Sequence, residues 1–284
     1  MYINAGGGWE QRGSDLDGSA AGDWFGFSVS LSADGTILAV GATYADGVNG
    51  VNSGRVYVFQ WISNAWQPLG STLDGAGAYD DFGFSVALSD DGTILAVGAR
   101  DNGAGGSNAG HVRVFAWADT DWTQRGNDLL GSSREDQFGN SVSLSSDGSI
   151  LACGGDQPGN DGPGYVGVYH WSGSAWQQQG STLMGFSSND DFGESVSLRE
   201  MGASLLLVQT MAFMLLCTEM TGPIGCRSAK PFVVNLVITL DSQCRCPLMA
   251  KQSSLAGTRM IPTAATLVMP LSSGYHQTNK NGGR

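Results

Sequence analysis

The stretch DDFGFSVALSDDGTILAVGA, Asp80–Ala99, joins two halves of different character, and it is the second of four related phrases. The first phrase, DWFGFSVSLSADGTILAVGA (Asp23–Ala42), begins with Phe27, Val29 and Leu31 alternating with serines. That period of two marks a strand with one covered face. Asp34-Gly35 follows, a dipeptide whose two positions both tolerate positive φ, so a tight hairpin is expected. TILAVGA is almost wholly apolar, as in a strand buried on both faces.

The later phrases are DQFGNSVSLSSDGSILACGG (Asp136–Gly155) and DDFGESVSL (Asp190–Leu198). The Phe-Gly pairs Phe25-Gly26, Phe82-Gly83, Phe138-Gly139 and Phe192-Gly193 stand 57, 56 and 54 residues apart. The Asp-Gly turn recurs as Asp91-Gly92 and Asp147-Gly148. A second marker, Trp9, Trp66, Trp122 and Trp176, keeps the same steps. Such periods belong to solenoids and propellers. After the second strand come a glycine-rich loop and a third strand, RVYVFQW. Its Val56, Val58 and Trp61 should take one face and Tyr57 and Phe59 the other. A fourth strand runs from Trp66 through QPLGSTLDG. Four antiparallel strands per unit, repeated, make propeller blades, so the fold class is all-β.

The pattern DxFGxSVxLSxDGxILAVGA followed by GxVxVF resembles the FG-GAP repeat, over about residues 9–198, and is related to the blades of the integrin α-chain head. The resemblance implies a β-propeller, usually of seven blades, used in adhesion or ligand binding outside the cell. Integrin-type blades hold calcium in a D-x-[DN]-x-[DN]-G turn; this chain has SADG, SDDG and SSDG instead. One or two carboxylates fall short of the roughly six to eight oxygens calcium takes. Asp34, Asp91 and Asp147 are therefore expected to shape hairpins, with no metal and no cofactor beyond weak calcium in the loops.

Composition changes at residue 199. Through Leu198 there are 6 Arg, no Lys and 23 Asp+Glu, a net of −17; from Arg199 onward there are 8 Lys+Arg and 3 Asp+Glu, a net of +5. The phrase begun at Asp190 also breaks off there. If one base is missing after the Leu198 codon, regrouping the codons of Glu200–Gly202 permits Asp and forces Gly, where the repeat needs its turn. The next codons permit Ser-Ile-Leu-Ala-Val-Gly-Ala. A second phrase emerges over Leu240–Gly257, again with its turn glycine forced at Met249-Ala250. Residues 1–198 thus read as about three whole blades with partial blades at each end. Residues 199–284 read as a frameshifted version of further blades, expected to be irregular, with coil or spurious helix over Ser204 to Cys217. Cys217, Cys226, Cys244 and Cys246 match no standard metal spacing. Cys153 replaces Val40 and Val97 of the earlier copies and should be a small buried apolar residue.

The acidic first part argues against nucleic acid, which needs Lys/Arg patches. No apolar stretch is long enough to span a bilayer, and MYINAGGGWEQRG does not read as a signal peptide. The carboxylates in each copy, Asp23, Asp80, Asp136 and Asp190, should cap turn amides. Among polar residues that break the repeat, His111, Arg134, Glu135, His170 and Glu194, none pairs at an acid–base spacing, and both histidines are expected to be exposed. The long loops Thr43–Ser53, Arg100–Ala109 and Asp156–Pro163 fall at one place in each blade and should line one face. Asp46, Asn49, Asp101, Asn102, Asp156 and Asp161 are the candidate ligand-binding residues there. The expected function is non-catalytic: ligand binding or cell adhesion by a secreted or cell-surface protein, with an extracellular protein or glycan as partner. A polysaccharide-acting propeller enzyme is the alternative, and it would gather carboxylate, His or Arg side chains from non-equivalent blade positions at the axial mouth. A further alternative is a truncated copy without function.

Overall fold

The computed structural model describes residues 1–4, 6–157, 162–188, 190–199, 204–208 and 235–239, of which Arg199 and the last two segments are described by backbone alone. Two compact units divide at Ser242, and the second, residues 243–284, lies outside the described residues, as do the four late cysteines and Asp161. Strands β1 (Tyr2–Asn4) and β2 (Trp9–Gln11) form a hairpin. Blade 1 follows as β3 (Phe25–Leu31), β4 (Ile37–Ala42), β5 (Arg55–Ile62), β6 (Ala65–Pro68) and β7 (Leu73–Asp74). Blade 2 is β8 (Phe82–Leu88), β9 (Ile94–Ala99), β10 (His111–Ala118), β11 (Asp121–Gln124) and β12 (Leu129–Leu130). Blade 3 is β13 (Ser141–Leu144), β14 (Ile150–Gly155), β15 (Tyr165–Trp171), β16 (Trp176–Gln178) and β17 (Leu183–Met184). A partial blade 4 holds β18 (Ser195–Arg199), β19 (Ser204–Val208) and β20 (Asn235–Thr239).

Each blade is the open antiparallel meander the repeat implies. The fourth strand is shorter than expected. In blade 1 it stops at Pro68, and the chain returns at Leu73–Asp74 to pair with the start of β5. The first hairpin also differs from the sequence reading. Only the glycine of each Asp-Gly pair is left-handed (Gly35 at 69°, Gly92 at 70°, Gly148 at 63°). The loop is longer than a two-residue turn because its side chains rebuild it. Ser89 Oγ donates to Asp91 Oδ1 (2.6 Å) and accepts from Ile94 N, while Asp91 Oδ1 accepts from Thr93 N (2.9 Å). Blades 1 and 3 repeat this with Ser32, Asp34 and Thr36, and with Ser145, Asp147 and Ser149. The Ser32 and Thr36 donors hold Asp34 below the ordinary carboxylate range, as Ser145 and Ser149 do for Asp147. At Asp91 burial pushes upward and the donors of Ser89 and Thr93 outweigh it.

Adjacent blades meet face to face. Ile37, Ala39, Val56 and Val58 of blade 1 pack on Phe82, Leu95, Val97 and Phe115 of blade 2. Blade 2 offers Ala96, Val112 and Val114 to Phe138, Leu151 and Cys153 of blade 3, and blade 3 offers Ala152, Val166 and Val168 to Phe192 and Val196. Cys153 is fully buried, as its position in the repeat implies, and burial pushes its thiol pKa up. Trp61 lies on the Phe59 side rather than with Val56, since it keeps the parity of Phe59 along β5 and the Arg12 guanidinium stands over it at 4.4 Å.

The blade contact is closest at paired glycines. In each Phe-Gly pair the glycine is left-handed (Gly83 at 89°, Gly139 at 93°), which bulges the strand and turns its carbonyl toward the preceding blade. Ser28 Oγ donates to Gly83 O (2.6 Å), Ser85 Oγ to Gly139 O (2.7 Å) and Ser141 Oγ to Gly193 O (2.7 Å). Beneath each carbonyl lies the glycine of Val-Gly-Ala or its equivalent: a Cβ on Gly41, Gly98 or Gly154 would collide with that oxygen. At the outer edge, Trp122 Nε1 donates to Leu69 O (3.0 Å) and Trp176 Nε1 to Arg125 O (2.9 Å).

Blade 1 lacks this covering on its other side. Val29 is 63% and Leu31 41% exposed, whereas Leu88 and Leu144 at the Leu31 position are 9% and 7% exposed. The alternation of Phe27, Val29 and Leu31 therefore faces solvent here and neighbouring blades elsewhere. Hairpin β1–β2 pairs Asn4 with Trp9 as β5–β6 pairs Trp61 with Trp66, so it is the outer part of a blade in step with the repeat. Trp66 Nε1 is buried without the acceptor its counterparts find.

Two further expectations are corrected. His111 is wholly buried, with neither ring nitrogen hydrogen-bonded, because the first residue of the third strand points into the blade contact; His170, near that strand's outer end, is exposed as expected. Residues 204–208, expected to be coil or helix, are strand β19, which pairs in register with β18.

Gly98→Ala should cost about 3 kcal/mol by forcing blades 2 and 3 apart, a fall in Tm of roughly 6–12 °C. Gly7→Ala, in open space, is the control, and an equal Tm for both variants would contradict the paired-glycine seat. Burial lowers the His111 pKa to about 4, with Arg113 pushing the same way. Below an unfolded value near 6.5, the unfolded chain takes up a proton that the folded chain refuses. His111 therefore stabilises at neutral pH, and up to roughly 3 kcal/mol is lost as pH falls from about 6.5 to 4. His111→Leu should accordingly lose less Tm than the parent chain between pH 7.5 and pH 5; parallel losses would refute a buried neutral imidazole.

Candidate functional site

The first strands of successive blades lie side by side, β3 beside β8, β8 beside β13 and β13 beside β18. Residues just before the Phe-Gly pairs therefore converge along one inner rim. The residue directly before each Phe is left-handed although it is never glycine: Trp24 (55°), Asp81 (56°), Gln137 (48°) and Asp191 (50°). That conformation costs roughly 1–2 kcal/mol in an L-residue. All four described copies adopt it, so the backbone belongs to the fold and only the side chain varies.

The variation is ordered. Trp24 stands 4.5 Å from Tyr44 and 5.7 Å from Phe27, ring to ring, and Phe27 stands 4.8 Å from Phe84. The Arg100 guanidinium lies 3.9 Å over the Phe84 ring. Its Nε is 3.9 Å from Asp81 Oδ2 and 3.8 Å from Asp101 Oδ1, and Asp101 Oδ1 also accepts from Gln137 Nε2 (3.1 Å). An aromatic shelf thus passes through one cation into a group of carboxylates. Burial pushes Asp81 up to about 7, the Asp101 carboxyl adds to the rise, and Arg100 opposes it. Burial raises Asp156 to about 6 against the pull of Arg100, with Asp191 and Glu194 adding. Arg100 Nε is buried without a hydrogen-bond acceptor and Asp156 Oδ1 without a donor.

Of the candidate loop residues, Asp101 and Asp156 reach this rim. Asp46 instead accepts from Asn52 N (2.9 Å), Asn49 Nδ2 donates to Gly75 O (2.7 Å), and buried Asn102 accepts from Ala104 N (2.9 Å). Asp46 and Asn102 shape their own loops, and Asn49 ties its loop to the residue after β7. The recurring carboxylates cap turns as their positions imply: Asp23 accepts from Ala20 N, Asp80 from Gly77 N, Asp136 from Ser132 and Ser133 N, and Asp190 from Phe186 and Ser187 N. Glu135 pairs with Arg134 (3.1 Å) and accepts from Asn108 Nδ2. Among the described residues no three His, Cys, Asp or Glu side chains are placed to hold a metal ion.

Sequence reasoning passed over Trp24, Phe27, Tyr44, Asp81, Phe84 and Arg100. Their signal was present in the aligned copies. Trp24, Asp81, Gln137 and Asp191 share one column, between an invariant Asp and an invariant Phe, and Thr43, Arg100 and Asp156 share another, two residues after an invariant Gly.

A family model described as the FG-GAP repeat matches residues 15–59 and 72–115. No curated protein matches the chain. Solved structures similar to it include Kuenenia stuttgartiensis hydrazine synthase (13% identity, TM-score 0.39, 64% of this chain and 43% of that one). Others are Saccharomyces cerevisiae Sqt1 (13%, 0.43, 66% and 43%) and TolB from Acinetobacter baumannii (13%, 0.35, 64% and 39%). The chain spans about two-fifths of the length of each. Residues 15–59 and 72–115 thus match the FG-GAP repeat, and the chain folds as four-stranded β-propeller blades.

Proposed function

We propose that the chain is a non-catalytic binding module of a secreted or cell-surface protein, of the integrin α-like adhesive kind, and that it engages an extracellular protein or glycan through the inner rim. The observation that carries this reading is a fixed left-handed backbone that presents a different side chain from every blade: Trp24, Asp81, Gln137, Asp191. Loops and strand ends on a rigid repeating scaffold are where recognition is usually placed. Trp24 at 53% and Phe27 at 42% exposure offer apolar contact beside polar groups that have unmet hydrogen bonds.

One observation favours a second reading, a propeller enzyme acting on polysaccharide. Asp81 and Asp156 come from non-equivalent positions of different blades, and both titrate near neutrality, as a general acid would. The two readings separate on one preparation of the full chain, tested against an array of immobilised glycans and extracellular matrix proteins and against soluble polysaccharides. Trp24→Ala and Arg100→Ala should each weaken binding at least tenfold, and Gln177→Ala on the outer strand should not. Release of reducing ends that Asp81→Asn abolishes would establish the enzyme instead. A monodisperse protein that neither binds nor cleaves would sink both.

The coding of the tail is a separate part of the proposal. The pairs Leu31–Leu38, Leu88–Leu95 and Leu144–Leu151 are seven apart, and Leu198–Leu205 keeps that step across the compositional seam. This supports residues 199–284 as blade-coding nucleotides read out of phase. Genomic and transcript sequencing across codons 195–260 should find one additional base after the Leu198 codon. Confirmation of the present frame in both would make this a decayed copy, and the search for its ligand would lose its object.

A further inference from the structure

One groove between blades is lined by aromatic rings where the corresponding groove holds an arginine. The third strands align Tyr57, Arg113 and Gly167 at one position. In blade 2, Arg113 occupies the groove: its Nε approaches Asp128 Oδ2 (3.4 Å), its Nη1 approaches Asp74 O (3.5 Å), and its guanidinium lies 5.8 Å from the Phe82 ring. In blade 3 glycine stands there, the Tyr169 ring lies over it where a Cβ would meet it at 2.8 Å, and Thr182 replaces the paired aspartate. A cavity of about 380 Å³ opens there, walled by Phe138, Tyr165 and Tyr169, with Gln157, Gln178 and Thr182 as its main polar groups. That volume falls within the range of small-ligand sites.

The walls are built. Phe138 and Tyr165 stack at 5.8 Å and 9°, and Tyr169 meets Phe138 edge-on at 6.2 Å. Behind them Asp136, fully buried, accepts from Tyr165 Oη (3.2 Å), Gln157 Nε2 (2.9 Å), Ser132 N, Ser133 N and Ser132 Oγ. Its two oxygens are committed, so it orients the wall instead of meeting a ligand. With its amide nitrogen held by Asp136, Gln157 keeps an Oε1 that is buried and has no donor.

The chemistry of this lining excludes most occupants. Among the described residues no charged side chain lines the cavity, so they would compensate neither a cation nor an anion for leaving water. An apolar side chain would suit the aromatic wall but leave Gln157 Oε1 unpaired. A ring that bears hydroxyls and C–H faces satisfies both. We propose that this cavity binds one uncharged sugar residue, free or as the end of a glycan. The site is separate from the inner rim, and neither reading uses the residues tested for the other.

The test takes the full chain and a panel of methyl glycosides, namely neutral hexosides, N-acetylhexosaminides and a uronide, with leucinamide and lysinamide as competitors, read by saturation-transfer NMR. At least one neutral glycoside should bind with Kd in the millimolar range. Thr182→Trp, which fills the cavity from its polar side, should weaken it at least tenfold. Gln157→Met, which keeps the volume and removes the acceptor, should do the same and serves if the filled variant fails to fold. Absence of transfer from every neutral glycoside to folded protein would overturn the proposal. So would preference for the uronide or an amide, or undiminished binding by both variants.

Discussion

The contact between paired glycines sets the terms for the rest of this structure. A carbonyl from one blade rests on the Cα of the blade before it and takes a serine hydroxyl there, at Gly83 over Gly41, Gly139 over Gly98 and Gly193 over Gly154. Two constraints meet at that point. The upper glycine must be left-handed to aim its carbonyl, and the lower must lack a Cβ to admit it. Once this spacing is fixed, the apolar faces of neighbouring blades are brought together, and Ile37, Val56 and Val58 find Phe82, Leu95 and Val97.

The inner rim is a by-product of the same seat. To enter the left-handed bulge, the chain places the residue before each Phe in a left-handed conformation as well, and that residue falls where the first strands converge. Its backbone is held by the fold, so its side chain is free to differ: tryptophan in blade 1, carboxylates in blades 2 and 4, an amide in blade 3. Arg100 adds the cation that ties the aromatic end to the acidic end. The cavity beside Tyr165 and Tyr169 also comes from variation between blades: Tyr169 lies over Gly167 where Arg113 fills the groove one blade earlier.

Much of the fold was legible in the residues. Repeated Phe-Gly, Asp-Gly and Val-Gly-Ala phrases implied antiparallel blades, because strand periodicity and glycine placement are local properties. The turn after the first strand was harder. Asp34-Gly35 suggested a two-residue hairpin, but Ser32 and Thr36 compete for the same backbone groups and build a longer loop. His111 was misjudged because alternation along a strand says which residues share a face, and not what that face meets. The exposed Val29 and Leu31 are the converse case: the same pattern that is buried at Leu88 and Leu144 lies open where no blade covers it.

For the site, sequence and tertiary structure divide the problem cleanly. The sequence by itself determined the repeat, the strands and the role of Asp34, Asp91 and Asp147 in turns, since each depends on residues a few positions apart. Residues 24, 81, 137 and 191 vary in the repeat between a constant Asp and a constant Phe, though no role for them followed from that alone. Only the tertiary structure decided that these positions share a rim, that Asp101 and Asp156 belong with Arg100 while Asp46 and Asn49 do not, and that a cavity lies beside Tyr165 and Tyr169. Those facts depend on how one blade sits on the next. Side chains more than fifty residues apart become neighbours there, and burial rather than identity sets their charge.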